Sequence, residues 1–195
     1  MPLVEKQNSI PAFYAKDRKQ WREWLQKNHE NEKSVWLILY SQKSKIPAID
    51  YSAAVEEALC FGWIDSKALK RDDESHYQYF SKRKPGSGWS KLNRERVERM
   101  IREGRMAPVG QAIVDLAKKS GAWDAFIDVE NSVIPDDLKK QFDKNKRAFD
   151  NFNAFAPSAR RIILAWIQNA KKAETRKQRI EKTVALAAQN LKSYP

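Results

Sequence analysis

The spacing of apolar residues changes several times along this chain, and each change predicts an element. Residues 18–29 place Trp21, Trp24 and Leu25 at helical spacing behind Asp17, a residue suited to capping a helix start. Two tryptophans at i and i+3 on a short amphipathic helix read as core rather than as a stacking platform. The run SVWLILY at 34–40 is branched, aromatic and short, which predicts a central strand. Residues 1–16 read as an extended arm broken by proline. A helix follows over 52–60 with Ala54, Val55, Ala58 and Leu59 inward, stopped by Gly62. The pattern then shifts to period two: WIDSKALKR and HYQYFSKR flank Asp72-Asp73-Glu74 and predict a hairpin.

The second half is helical throughout. A helix over 91–103 is capped by Ser90 and turns Leu92, Val97, Met100 and Ile101 inward; another runs over 108–119. Further helices are predicted at 136–144, 146–155, 158–170 (Ile162, Ile163, Trp166 and Ile167 inward) and 173–191 (Ile180, Val184, Ala187 and Leu191 inward). The expected fold is therefore α+β: a small, mainly antiparallel three-stranded sheet covered by helices, followed by a helical C-terminal half. Residues 1–131 are expected to form the α+β domain. Residues 132–195 are expected to form a helical module packed on it.

Charge sharpens this picture. The 195 residues carry a formal net charge of +12. Residues 81–106 hold 9 basic and 3 acidic side chains, and residues 157–195 hold 9 and 2, so two short segments account for the excess. Clustered positive charge is a footprint for anions. The sharpest local signal is Lys82-Arg83-Lys84-Pro85-Gly86-Ser87-Gly88-Trp89-Ser90, a basic turn feeding a helix N-terminus, where backbone N–H groups attract anions. It lacks the Gly-Lys-Ser/Thr ending of a Walker loop. The candidate anion ligands are Lys82, Arg83, Lys84, Ser90, Asn93 and Arg96, extended by Arg160, Arg161, Arg176 and Arg179, with Trp63 and Trp89 as stacking rings.

Other chemistry is thinly represented. Cys60 is the one cysteine and reads as a small buried hydrophobe; an internal disulfide is excluded. His29 and His76 lie far apart in sequence, and no metal or cofactor site is expected. Asp65 is the one weak catalytic candidate, as an acid or base beside Trp63 and Trp89. No stretch has the length of a membrane span, and the N-terminus lacks an apolar signal core; a cytoplasmic protein is expected.

Two blocks carry a family likeness. Glu56-Glu57-Ala58-Leu59-Cys60-Phe61-Gly62-Trp63-Ile64-Asp65, followed by Trp89-Ser90-Lys91-Leu92-Asn93-Arg94-Glu95-Arg96-Val97, resembles the YdeI/OmpD-associated (OmdA) family of bacterial proteins. So does the tail: Pro157-Ser158, Ala165-Trp166-Ile167, Glu174-Thr175-Arg176, Arg179-Ile180 and Lys182-Thr183. The likeness spans about residues 17–190. It departs at Ala173, where proline is expected before Glu-Thr-Arg. The resemblance implies a link to bacteriocin protection and supplies no catalytic residues. The expected function is non-enzymatic binding of nucleic acid or a phosphorylated ligand in a stress or antimicrobial-defence role. The alternative is an enzyme on a small anionic substrate near Trp63, Asp65 and Trp89.

Overall fold

The computed structural model describes residues 5–193. The chain divides into two compact units, residues 1–123 and 124–195.

The first unit opens with strands β1 (Lys6–Gln7) and β2 (Ile10–Tyr14), then helix α1 (Arg18–Asn28) and strand β3 (Ser34–Tyr40). Helix α2 (Tyr51–Cys60) leads into the hairpin of β4 (Trp63–Lys70) and β5 (Ser75–Lys82). Helices α3 (Lys91–Arg102) and α4 (Pro108–Lys119) complete it. Local chemistry sets the helix starts: Asp17 accepts from the Gln20 N–H, Asp50 from Ala53 and Ser90 from Asn93. Pro108 occupies the first turn of α4, where its missing N–H costs nothing.

The sheet corrects the expectation of three mainly antiparallel strands. Five strands run in the order β1-β2-β3-β5-β4, and the sheet is mixed. β2 pairs with β3 in parallel (Ala12↔Trp36, Phe13↔Leu37, Tyr14↔Ile38), while β3–β5 and β5–β4 are antiparallel. The extended arm expected over residues 1–16, of which 1–4 lie outside the described residues, thus supplies the first strand of a β2-α1-β3 crossover. Helix α1 returns the chain to the other end of the sheet, so β3 must run in the same direction as β2. Pro11 precedes the residues paired with β3, so its missing N–H leaves no gap in that ladder. Five residues without alternation gave no period to read.

Both faces of β3 are covered, which explains its unbroken apolar run. Val35, Leu37 and Leu39 join Trp21, Leu25, Val55, Leu59 and Phe80 in the main core. Trp36 and Ile38 pack with Tyr77 on the opposite face. On α3, Val97 and Met100 are buried, but Leu92 and Ile101 are exposed, against the inward placement expected from spacing. Arg96 takes buried space on that helix instead.

The second unit is helical: α5 (Ile127–Glu130), α6 (Asp136–Phe142), α7 (Lys146–Ala154), α8 (Pro157–Gln168) and α9 (Ala173–Ala188). Its core gathers Leu138, Phe142, Phe152, Ile163, Leu164, Ile167 and Ile180, with Phe142 and Phe152 ring centroids 5.1 Å apart. Ile162 is exposed and Leu164 takes its place inside; Leu191 lies past the end of α9 and is exposed.

Candidate functional site

The most concentrated polar chemistry in the first unit lies on α2, at residues whose spacing suggested only an amphipathic helix. Glu56 and Glu57 are buried, Glu57 with no exposed surface at all. Arginines from three places converge on them. Arg18 on α1 reaches Glu56 at 3.0 Å and Glu57 at 2.5 Å. Arg22, one turn on, reaches Glu57 at 2.6 Å and donates to the Arg105 carbonyl at 2.8 Å. Arg99 on α3 pairs with Glu56, and Arg105, just after α3, pairs with Glu57. Arg96 joins through Ser52, which accepts from its Nη2 at 3.3 Å and in turn donates to Glu56 at 3.4 Å.

Five guanidiniums thus surround two buried carboxylates; one further carboxylate, Glu103, approaches Arg99 at 4.0 Å. Burial pushes the Glu57 carboxyl up, but the hydrogen bonds from Arg18, Arg22 and Arg105 together outweigh it, and the net shift is downward. The side chains pairing with the carboxylates stay partly open, from 26% exposed for Arg22 to 46% for Arg99. Among the described residues, the Nη1 groups of Arg18, Arg99 and Arg105 donate to no protein acceptor. The cluster therefore presents net positive charge and unused planar donors, the combination that receives oxyanions. At its Arg22 end it borders a cleft of about 490 Å³, where Phe61 lies under the Arg22 guanidinium and beside the His29 ring.

The basic turn holds its middle cation inside the fold. Arg83 is only 7% exposed. Its Nη2 donates to the carbonyls of Ser87 (3.2 Å) and Gly88 (2.9 Å), and its guanidinium lies 3.7 Å from the centre of the Trp89 ring. Burial pulls its pKa down to about 10. It closes the turn from inside. The cavity beside it holds about 10 Å³, no more than one water. Replacing Arg83 with lysine removes the planar fork and the stacking; the expected loss of stability is about 2–3 kcal/mol, read by urea unfolding.

Trp63 and Trp89, expected as stacking rings, are both 1% exposed. Trp63 meets the Trp24 ring edge-on at 5.8 Å, and Trp89 is covered by Arg83 and by Trp123 at 5.0 Å. Neither offers a face to a base. Lys82 donates to the Glu30 carbonyl and Lys84 is exposed. Ser90 and Asn93 serve α3: Ser90 Oγ accepts from the Asn93 N–H, and Asn93 Oδ1 from Arg96. Arg96 itself is 8% exposed. Asp65 accepts from the Tyr51 hydroxyl (2.7 Å) and the Gln78 amide (3.3 Å). Burial and this bond push the Tyr51 phenol up to about 12.

In the second unit, Arg176 is held bidentate by Asp137 at 2.6 and 2.9 Å. Arg179 donates to the Trp166 carbonyl and lies 5.0 Å from that ring, with Lys182 at 5.3 Å. Arg160 has a buried Nε without a partner, and Arg161 faces solvent. Cys60 is buried, and burial raises its thiol to about 11, which keeps it protonated and unreactive at neutral pH. Among the described residues, no group of three or more His, Cys, Asp or Glu side chains is arranged to hold a metal ion, and no helix is long and apolar enough to cross a membrane.

Fold and site together define a protein of two units: a mixed-sheet α+β unit with an arginine-ringed carboxylate pair, then a helical unit. Residues 13–113 match the family model described as "Domain of unknown function (DUF8412)", and the chain belongs to that family. Residues 131–190 match the model described as "Bacteriocin-protection, YdeI or OmpD-Associated" (OmdA), the family that the sequence motifs resemble. The Glu56-Glu57 motif lies within the first match and the Arg176 and Arg179 segment within the second. Neither a curated protein nor a solved structure matches the chain.

Proposed function

We propose that this protein binds a small phosphorylated or otherwise oxyanionic ligand, without catalysing its conversion, through the arginines around Glu56 and Glu57. The observation that carries this reading is the imbalance of five arginines around two buried carboxylates, with N–H donors left over at a partly open surface. The same contacts tie α1, α2 and α3 together, so a bound anion adds to a scaffold already set in place. The Arg22 cleft, about 490 Å³, falls within the range of small-ligand sites. The description of the family matched by residues 131–190 names bacteriocin protection, which fits a protective role for this binding.

The test is calorimetric titration with pyrophosphate at two salt concentrations, for the parent protein and Arg99→Gln. Arg99 is the most exposed of the four arginines paired with the carboxylates, so its loss disturbs folding least. Binding that weakens with salt, and falls about tenfold in Arg99→Gln, is the expected result. No heat at low salt, with melting unchanged by pyrophosphate, would remove the anion-binding reading. A single-stranded oligonucleotide in a parallel titration separates a small-ligand site from a nucleic-acid surface. Tighter binding of the oligonucleotide than of pyrophosphate, with a steeper salt slope, would point to the latter.

A further inference from the structure

A second cleft in the first unit lies on the opposite side of α1 from Arg18 and Arg22. It holds about 590 Å³. One wall is aromatic: Phe13 from β2 and Trp24 from α1, ring centroids 5.7 Å apart and both partly exposed. These rings are fixed from behind. Trp21, fully buried, stacks on Trp24 at 5.2 Å and 15°, and Trp63 meets Trp24 edge-on. Trp24 is therefore part of the core on one side and part of the cleft wall on the other.

The polar rim has hydrogen-bonding capacity left over. Asn28 spends its Nδ2 on the Trp24 carbonyl, leaving Oδ1 as an acceptor. Gln20 spends its Oε1 on the Lys16 N–H, leaving Nε2 as a donor. Lys16 and Lys27, also at the rim, are exposed and, among the described residues, make no ion pair with a carboxylate; the one carboxylate of the rim, Glu23, lies 4.0 Å from Lys19, so the rim keeps a net positive charge. A rigid aromatic wall favours a planar ring, an amide acceptor and donor match the edge of a heteroaromatic ring, and two ammonium groups favour an anionic substituent.

We propose that this cleft is a second binding site, distinct from the arginine cluster, for a planar heteroaromatic ligand carrying an anionic group, of the mononucleotide type. Ring and charge are recognised separately: the ring by Trp24 and Phe13, the charge by Lys16 and Lys27.

The probes are AMP, adenosine and ribose 5-phosphate, titrated into the ¹⁵N-labelled full chain while the indole N–H resonances are followed. The Trp24 indole signal is assigned from Trp24→Phe. AMP is expected to shift that signal saturably and to bind at least tenfold more tightly than either fragment. The Lys16→Glu/Lys27→Glu variant changes only exposed side chains and is expected to lose the preference for AMP over adenosine, while Arg99→Gln keeps it. Three results would overturn the proposal: no movement of the Trp24 signal at millimolar AMP, equal binding of AMP and ribose 5-phosphate, or loss of AMP binding in Arg99→Gln but not in the lysine variant. The last would assign AMP to the arginine cluster and leave the anion-binding reading standing.

Discussion

Glu57→Gln is expected to lower the stability of the first unit by about 2–4 kcal/mol, a fall in melting temperature of roughly 5–15 °C. Glu57 is fully buried and is the common partner of Arg18, Arg22 and Arg105. Glutamine fits the same space but leaves these guanidiniums facing a neutral amide. The cost stays below that of a wholly buried broken pair because the three arginines reach water on their outer sides. The pH dependence has a definite sign. The folded-state pKa of Glu57 lies below its ordinary value. Its contribution is therefore fully present above the ordinary glutamate range and is lost as pH falls through the depressed folded value. The parent protein is expected to lose stability below about pH 4.5 more steeply than Glu57→Gln, read as melting temperature against pH by circular dichroism. Parallel curves for the two proteins would show that the carboxylate is not the group that titrates.

Gly110→Ala should have an effect of similar size for a steric reason. A Cβ at Gly110 would lie 2.1 Å from the Cys60 carbonyl oxygen and 2.6 Å from its carbon. These are backbone atoms at the end of α2, and they cannot swing aside as a side chain would. Helix α4 must move off α2, and the Ala107 N–H to Cys60 carbonyl bond (3.1 Å) lies in the same contact. The expected cost is about 2–4 kcal/mol, or failure to accumulate as folded protein. Gly86→Ala is the control. Gly86 has φ 76° with nothing within 4 Å of an added Cβ, so only backbone strain of about 1 kcal/mol is expected. Equal melting temperatures for the two variants would mean that the helices separate without cost.

Gly110 is a residue whose reason lies outside its own helix. A glycine inside PVGQAIVDLAKK weakens a helix by about 1 kcal/mol relative to alanine, and nothing local explains its presence. Cys60, fifty positions earlier in the chain, does. Arg99 is a similar case: its spacing suggests a pair with Glu95, but in the fold its closest carboxylate is Glu56, across to α2. The basic turn was legible as a turn from Pro85 and Gly86. That Arg83 faces inward was not legible, because a charged side chain can stand over a tryptophan only once Trp89 has been folded beneath it.

The sequence by itself determined the local elements: the helix starts at Asp17 and Ser90, the β4–β5 hairpin, the proline-led α4 and α8, and the helical character of residues 136–191. These follow from capping, spacing and turn chemistry within a few residues. Only the tertiary structure decided that Ile10–Tyr14 joins the sheet in parallel, that Trp63 and Trp89 have no open face, and that Glu56 and Glu57 collect arginines from α1, from α3 and from the turn after it. Parallel pairing is decided by where a crossover helix returns the chain. The charge cluster is decided by contacts between residues 35 to 48 positions apart at Glu57, a separation over which no periodicity carries information.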